Sequence, residues 1–206
     1  MYRNVFKRLV DLTLAISLLI IIFPLFLILL MVLAIYYGGN PFFTQKRPGL
    51  NEKIFLLIKF KSMTDKFDSS GKLLPDSERV TSVGKFIRKT SLDEIPQLFN
   101  VILGHMSFIG PRPLLVSYLP YYNQRERMRH QVRPGITGLA QVSGRNNLKL
   151  PERLELDALY VETLSFTNDM KIIVKTVKNV LSAKDITIIT SSKTLKDYRD
   201  EEIIKS

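Results

Sequence analysis

The stretch Thr90-Ser91-Leu92-Asp93-Glu94-Ile95-Pro96-Gln97-Leu98-Phe99-Asn100 carries an S-x-x-E capping box ahead of an apolar helical run, with Ser91 as N-cap and Asp93 in the first turn. Ile95, Leu98, Phe99, Val101 and Ile102 form the buried side of that helix. Pro96 falls late for a first-turn proline, which shifts the start by a residue or two. A carboxylate at a helix N-terminus is held in its charged form by unpaired backbone N–H groups, a state that suits a nucleophile or a metal ligand. Successive helical residues point about 100° apart, so Asp93 and Glu94 are read as having separate tasks. The plain alternative is that Glu94 only closes a cap and Asp93 only faces water.

The neighbours of the pair weigh against the plain alternative. Arg88 and Lys89 precede it, and Gly110-Pro111-Arg112-Pro113 follows, placing an arginine in a stiff turn. Carboxylates between basic residues suit phosphate chemistry. The formal net charge of +11 over 206 residues implies an anionic partner. With no cysteine and two histidines, thiolate sites are excluded and hard cations held by carboxylate oxygens are the expected metal chemistry.

Residues 12–37 contain no charge, and about 20 apolar residues suffice to cross a bilayer. The run is too long for a signal peptide and no small-residue cleavage site follows it. Basic residues flank both ends: Arg3, Lys7 and Arg8 before, Lys46, Arg47, Lys53, Lys59 and Lys61 after. The positive-inside tendency would keep both flanks in the cytoplasm. Pro24 near the middle removes a helical hydrogen bond and can bend the helix. The residues alone leave a re-entrant hairpin and a plain spanning helix level.

Further on, residues 42–45 and 53–61 read as the arms of a β-hairpin around a turn at residues 46–51. Lys59 and Lys61 share a face by the strand's period of two, with solvation as the plain reading. Residues 64–78 read as a polar loop. Residues 114–129 read as a helix or two broken at Pro120, with Arg125, Arg127 and Arg129 solvated or facing lipid. The small residues of 132–146 permit close approach of backbone to a ligand, and Arg145 offers a bidentate grip on phosphate. Helices are expected over residues 151–164 and 166–181, the second amphipathic with a basic side, and a short β-rich run over residues 186–190.

Taken in order, Lys7-Arg8 with the apolar run and its proline, Phe43-Thr44-Gln45, Arg47-Pro48-Gly49, Lys59-Phe60-Lys61-Ser62-Met63, Ser91-Leu92-Asp93-Glu94, Gly110-Pro111-Arg112-Pro113 and Arg133-Pro134-Gly135-Ile136-Thr137-Gly138 resemble the bacterial monotopic phosphoglycosyl transferases. The resemblance covers about residues 1–180 and is closest to the small single-domain members that open bacterial glycan assembly, including the one that starts N-linked glycosylation. It implies an α+β fold: a small, mostly helical catalytic domain with a short β-hairpin, attached to an N-terminal re-entrant membrane helix and interfacial amphipathic helices. Residues 1–40 would be the membrane helix bent near Pro24, 41–184 the catalytic domain and 185–206 a tail. The chain would sit on the cytoplasmic face of the bacterial inner membrane.

The resemblance also implies a reaction. Asp93 would attack the sugar-linked phosphate of a UDP-sugar, expel UMP and form a phosphosugar-aspartate, which polyprenol phosphate resolves. Glu94 would be its acidic partner, a magnesium ion would bind beside Asp93, and Lys59, Arg88, Arg112 and Arg145 would neutralise phosphate. Lys7, Arg8 and Pro24 would serve the membrane helix, with anionic lipid headgroups as further partners and no nucleic acid. Two departures stand out: Phe23 replaces the serine that members often have before the helix proline, and the chain after about residue 181 leaves the family pattern. Two other classes compete: a non-catalytic basic protein of the membrane surface, and a lipid diphosphate hydrolase in which water accepts the phosphate.

Overall fold

One stripe of helix α1 (Lys7–Tyr37) packs on the rest of the chain, while most of its apolar surface stays bare. The computed structural model describes residues 2–144, 148–181 and 194–205. Lys7, Asp11, Ala15, Phe26 and Leu33 are the buried positions of α1, and Leu19, Ile22, Leu29 and Tyr37 are part-buried against the same core. Steps of three and four keep such positions on one face of a helix. Ile20, Ile21, Ile28, Met31 and Ile35 point outward. Among the described residues, α1 is the helix long and apolar enough to cross a membrane. Its backbone stays helical through Pro24, and it ends at Gly38, whose φ of 65° is the left-handed conformation that closes a helix.

The expected hairpin is formed by β1 (Phe42–Pro48) and β2 (Ile54–Phe60), antiparallel with Phe42 opposite Phe60 and Pro48 opposite Ile54. The first strand runs three residues further than expected and the second is one residue shorter at each end, and the turn falls on residues 49–53, where Asn51 and Glu52 take positive φ. Phe55 and Leu57 alternate inward to meet Ala15, Leu98, Val101 and Met106. At the open end Phe42 stacks on Phe60, and both rings lie beside Phe26 of α1.

Helices α2 (Asp76–Arg79) and α3 (Ser82–Lys89) follow, the second capped by Thr81, whose Oγ1 accepts from the Gly84 N–H at 2.9 Å. α4 (Gln97–Ile102) lies against α1 and β2. β3 (Ser107–Ile109) pairs in parallel with β4 (Gly135–Thr137). Between them the chain is 3-10 through Pro120, then forms α5 (Gln124–Arg127) and another 3-10 turn, which replaces the expected broken helix. α6 (Leu139–Ser143), α7 (Leu150–Glu162), α8 (Phe166–Leu181) and α9 (Leu195–Lys205) complete the order. The expected strand over residues 186–190 lies outside the described residues.

Two expectations are corrected here. The glycines of residues 132–146 approach their own chain: a Cβ at Gly135 would lie 2.1 Å from the Gly110 nitrogen, and one at Gly138 would lie 2.2 Å from the Gly110 oxygen. They let β4 lie against the Gly110-Pro111 backbone, which takes up the space that side chains at Gly135 and Gly138 would need. The arginine run is not uniformly solvated. Arg125 and Arg127 are exposed and paired with Glu155, Glu162 and Glu52, but Arg129 is buried against Asp157. In α8, Asp169 and Ile172 face inward and Val174, Val177 and Val180 face outward.

Candidate active site

Ser91 decides how the acidic pair is presented. Its φ of 57° is left-handed and its N–H bonds the Arg88 carbonyl at 3.2 Å, so it terminates α3. The expected capping box is absent, because Ser91 makes no side-chain cap and α4 begins only at Gln97. Pro96 has no N–H to offer the preceding turn. Leu92–Glu94 therefore forms a tight 3-10 turn, which presents Asp93 and Glu94 to one basic cluster.

Lys59 sits on the inward face of β2 with Phe55 and Leu57, and the solvated alternative for it does not hold. Its Nζ donates to Glu94 Oε1 at 2.7 Å and lies 3.9 Å from Asp93 Oδ2. Arg112 Nη2 donates to the same Glu94 oxygen at 2.8 Å, with its side chain 47% exposed beside open solvent. Arg88 Nε donates to Ser62 Oγ at 2.8 Å, and its charge is felt by Asp93. The structure thus brings together Lys59, Arg88, Asp93, Glu94 and Arg112. Arg145 lies outside the described residues.

The two carboxylates differ electrostatically. Burial alone would raise Glu94, but Arg112 and Lys59 outweigh it and hold its pKa at about 2. Asp93 is 8% exposed and accepts no hydrogen bond among the described residues. Burial lifts its pKa, Lys59 opposes this and Glu94 adds to it, leaving the carboxyl above its ordinary value. That reverses the expected direction, since Asp93 rides a buried 3-10 turn with no helix N-terminus beneath it. Lys59 is lowered by burial against the pull of Glu94.

Several supports escaped the sequence reading. Asn100 is fully buried, its Oδ1 accepting from the Ile58 N–H at 3.0 Å and its Nδ2 donating to the Leu56 carbonyl at 2.7 Å. The amide imitates a neighbouring strand and fixes β2 one residue before Lys59. A polar residue on the apolar side of α4 was the signal for it. Ser62, Arg47, Arg129 and Asp157 gave no local signal of their roles. Lys7 and Arg8, expected at the membrane, turn into the protein: Lys7 Nζ donates to buried Asp169 at 2.6 Å, and Arg8 donates to the Val101 and Ile102 carbonyls at the end of α4.

The model of the family described as Bacterial sugar transferase matches residues 2–183. A Bacillus subtilis (strain 168) protein with the name uncharacterized sugar transferase EpsL is 49% identical over 182 residues, covering 88% of this chain and 90% of its own. The UDP-glucose:undecaprenyl-phosphate glucose-1-phosphate transferase of Klebsiella pneumoniae is 42% identical over 183 residues, covering 84% of this chain, which spans only 39% of that longer protein. The undecaprenyl-phosphate galactose phosphotransferase of Salmonella typhimurium (strain LT2) is 39% identical over 193 residues, with 85% of this chain and 40% of that protein covered. By the extent of these matches, the chain belongs to the bacterial sugar transferase family.

Proposed function

We propose that this chain transfers a sugar 1-phosphate from a UDP-sugar to undecaprenyl phosphate, releasing UMP and forming the undecaprenyl diphosphate-linked sugar. The observation that carries the reading is a buried Asp93 that accepts no hydrogen bond among the described residues, set on a tight turn beside Lys59, Arg88 and Arg112. The names of the Klebsiella and Salmonella relatives support the donor and acceptor classes.

A carboxylate oxygen of Asp93 attacks the phosphorus bearing the sugar, the bond from that phosphorus to the UMP oxygen breaks, and UMP leaves with the electron pair. The acyl phosphate is then attacked by an oxygen of undecaprenyl phosphate, which returns Asp93 as a carboxylate. Lys59, Arg88 and Arg112 face the negative charge that spreads over the phosphoryl oxygens in both steps. Glu94 holds two of these cations in place between turnovers, and a phosphate oxygen entering the cluster competes with it for them.

Among the described residues no three His, Cys, Asp or Glu side chains gather into a cage. Magnesium needs none, since it commonly takes one or two carboxylates together with substrate phosphates. Asp93 fits as its protein ligand, because Glu94 is already engaged by Lys59 and Arg112. When bound, the ion supplies charge neutralisation at the diphosphate.

The same reading places the chain on the cytoplasmic leaflet with α1 re-entrant and bent near Pro24. In support, both ends of α1 are held by the domain, Lys7 by Asp169 and Tyr37 by a 3.0 Å hydrogen bond with Thr81. The outward valines of α8 fit an interface with lipid.

The test is intact-protein mass after mixing purified protein with magnesium and a panel of UDP-sugars, without lipid acceptor. A gain of one sugar phosphate, absent in Asp93→Asn, is expected. Turnover of native rate in Asp93→Asn would remove Asp93 as the nucleophile.

A further inference from the structure

Three successive carbonyls in the Pro111-Arg112-Pro113 turn each accept a hydrogen bond from a different part of the chain. The Pro111 oxygen accepts from the Gly135 N–H at 3.0 Å, the Arg112 oxygen from Arg129 Nη2 at 2.6 Å, and the Pro113 oxygen from Arg47 Nη1 at 3.2 Å. Neither proline has an N–H, so the turn has few donors with which to hold itself. We infer that Arg47 and Arg129 are positioning residues, gripping the carbonyls of Arg112 and of the proline after it so that the Arg112 guanidinium meets the substrate phosphates in a fixed direction.

Each arginine is also held by further partners. Arg129 is 3% exposed, donates to Asp157 Oδ2 at 2.8 Å and to the Tyr122 hydroxyl at 2.8 Å, and lies over the Tyr122 ring. A buried ion pair is weak evidence of stabilisation, because taking both charges out of water offsets most of their attraction. What this pair provides is a rigid fork with one N–H aimed at Arg112. Arg47 is part-buried on β1, the strand paired with the one that carries Lys59, and its Nη2 donates to Gln45 Oε1 at 2.6 Å. No carboxylate pairs with Arg47 among the described residues. Burial, and then the like charge of Arg112, hold its pKa down at about 10. The two guanidinium charges repel, and the Pro113 carbonyl and Gln45 hold Arg47 in place against that repulsion. The hairpin therefore sets Lys59 and the direction of Arg112 together.

The inference rests on the phosphate role proposed for Arg112. It is tested with Arg47→Gln and Arg129→Lys, each alone and combined with Arg112→Ala. The readout is loading of Asp93 by the UDP-sugar that forms the mass adduct, followed over hours so that slow variants remain measurable. Melting temperature is recorded for every variant. Misdirecting a catalytic group by about 1 Å can cost about 100-fold, so each variant is expected to slow loading roughly 10- to 100-fold by that argument. With Arg112→Ala already present, the same substitutions should add less than about twofold, within the scatter of such cycles. Arg47→Lys, which retains a donor for the Pro113 carbonyl, should recover most of the loss. Losses that multiply with Arg112→Ala would overturn the inference, as would single variants that load at the native rate. If Arg112→Ala alone loads normally, the phosphate role fails and this inference fails with it.

Discussion

Lys59 Nζ donates to Glu94 Oε1 at 2.7 Å, while Asp93 Oδ2, one residue earlier, stays 3.9 Å from the same nitrogen. The lysine is thus committed to one carboxylate and available to the other. Replacing Glu94 by Gln removes the charge that holds Lys59 and Arg112 in place, and also one of the influences that raise Asp93. Asp93→Asn should abolish adduct formation. Glu94→Gln should instead slow UMP release by about 100-fold, the lower range for a group assisting proton transfer or charge placement, with the fold intact by circular dichroism. Near-native turnover in Glu94→Gln would leave that residue a purely structural role.

Gly84 controls the distance between α3 and the strand exit. A Cβ there would lie 1.9 Å from the Ser62 carbonyl oxygen and 2.7 Å from its carbon, both backbone atoms that cannot swing aside. Gly84→Ala should therefore push α3 outward and break the Arg88 contact with Ser62. Overpacking of this kind costs about 1–3 kcal/mol, or roughly 2–12 °C in melting temperature for a chain of this size. Calorimetry in detergent measures the stability loss, and Asp93 loading should fall with it. A variant with unchanged melting temperature and loading would show that the segment has room to yield.

The absence of cysteine makes α1 open to a direct topology test. Val5→Cys and Asn40→Cys place one thiol on each flank of the helix, at exposed positions. If α1 enters and leaves by one leaflet, a membrane-impermeant maleimide should modify both only after the cytoplasmic side is opened. Labelling of one flank from outside intact cells would make α1 a spanning helix.

His130 gives the fold a pH dependence. Burial, reinforced by the neighbouring charge of Arg129, lowers its pKa from 6.5 to about 4. The unfolded chain thus binds the proton more readily than the folded one. Stability from neutral His130 is fully present above pH 6.5 and is lost as pH falls through about 4. A shift of this size corresponds to at most about 3 kcal/mol. Denaturation midpoints between pH 6.5 and 4 should fall less steeply in His130→Gln than in the native chain. Equal slopes would exclude His130 as the cause.

The hairpin and α7 and α8 were legible because local patterning determines them: Phe55 and Leu57 alternate inward, and α8 carries an unbroken helical run. Its facing was not legible, because Asp169 turns inward to meet Lys7, 162 positions away, together with the hydroxyls of Tyr2 and Tyr160. Asp93, Glu94 and their basic neighbours were legible as a cluster, but the turn that presents them was not. An S-x-x-E pattern cannot tell the start of one helix from the end of another, and the positive φ at Ser91 decides for the end of α3. Arg129 looked like one more surface charge because its partner Asp157 is 28 residues further on. The glycines near residue 135 looked ready for a ligand because sequence does not reveal that the Gly110 backbone occupies that space.

The Lys7–Asp169 contact also orders events during synthesis. A ribosome adds about 5–20 residues per second, so the 162 positions between the two residues correspond to roughly 8–32 s during which Lys7 lacks its Asp169 partner. For all but the first part of that interval, until Tyr37 is added, the apolar surface of α1 is already made. The nascent chain should therefore reach the bilayer before the Leu92–Glu94 turn exists and fold while tethered. Chains arrested before residue 169 are expected in the membrane fraction; recovering them from the soluble fraction would mean that docking of α1 comes first.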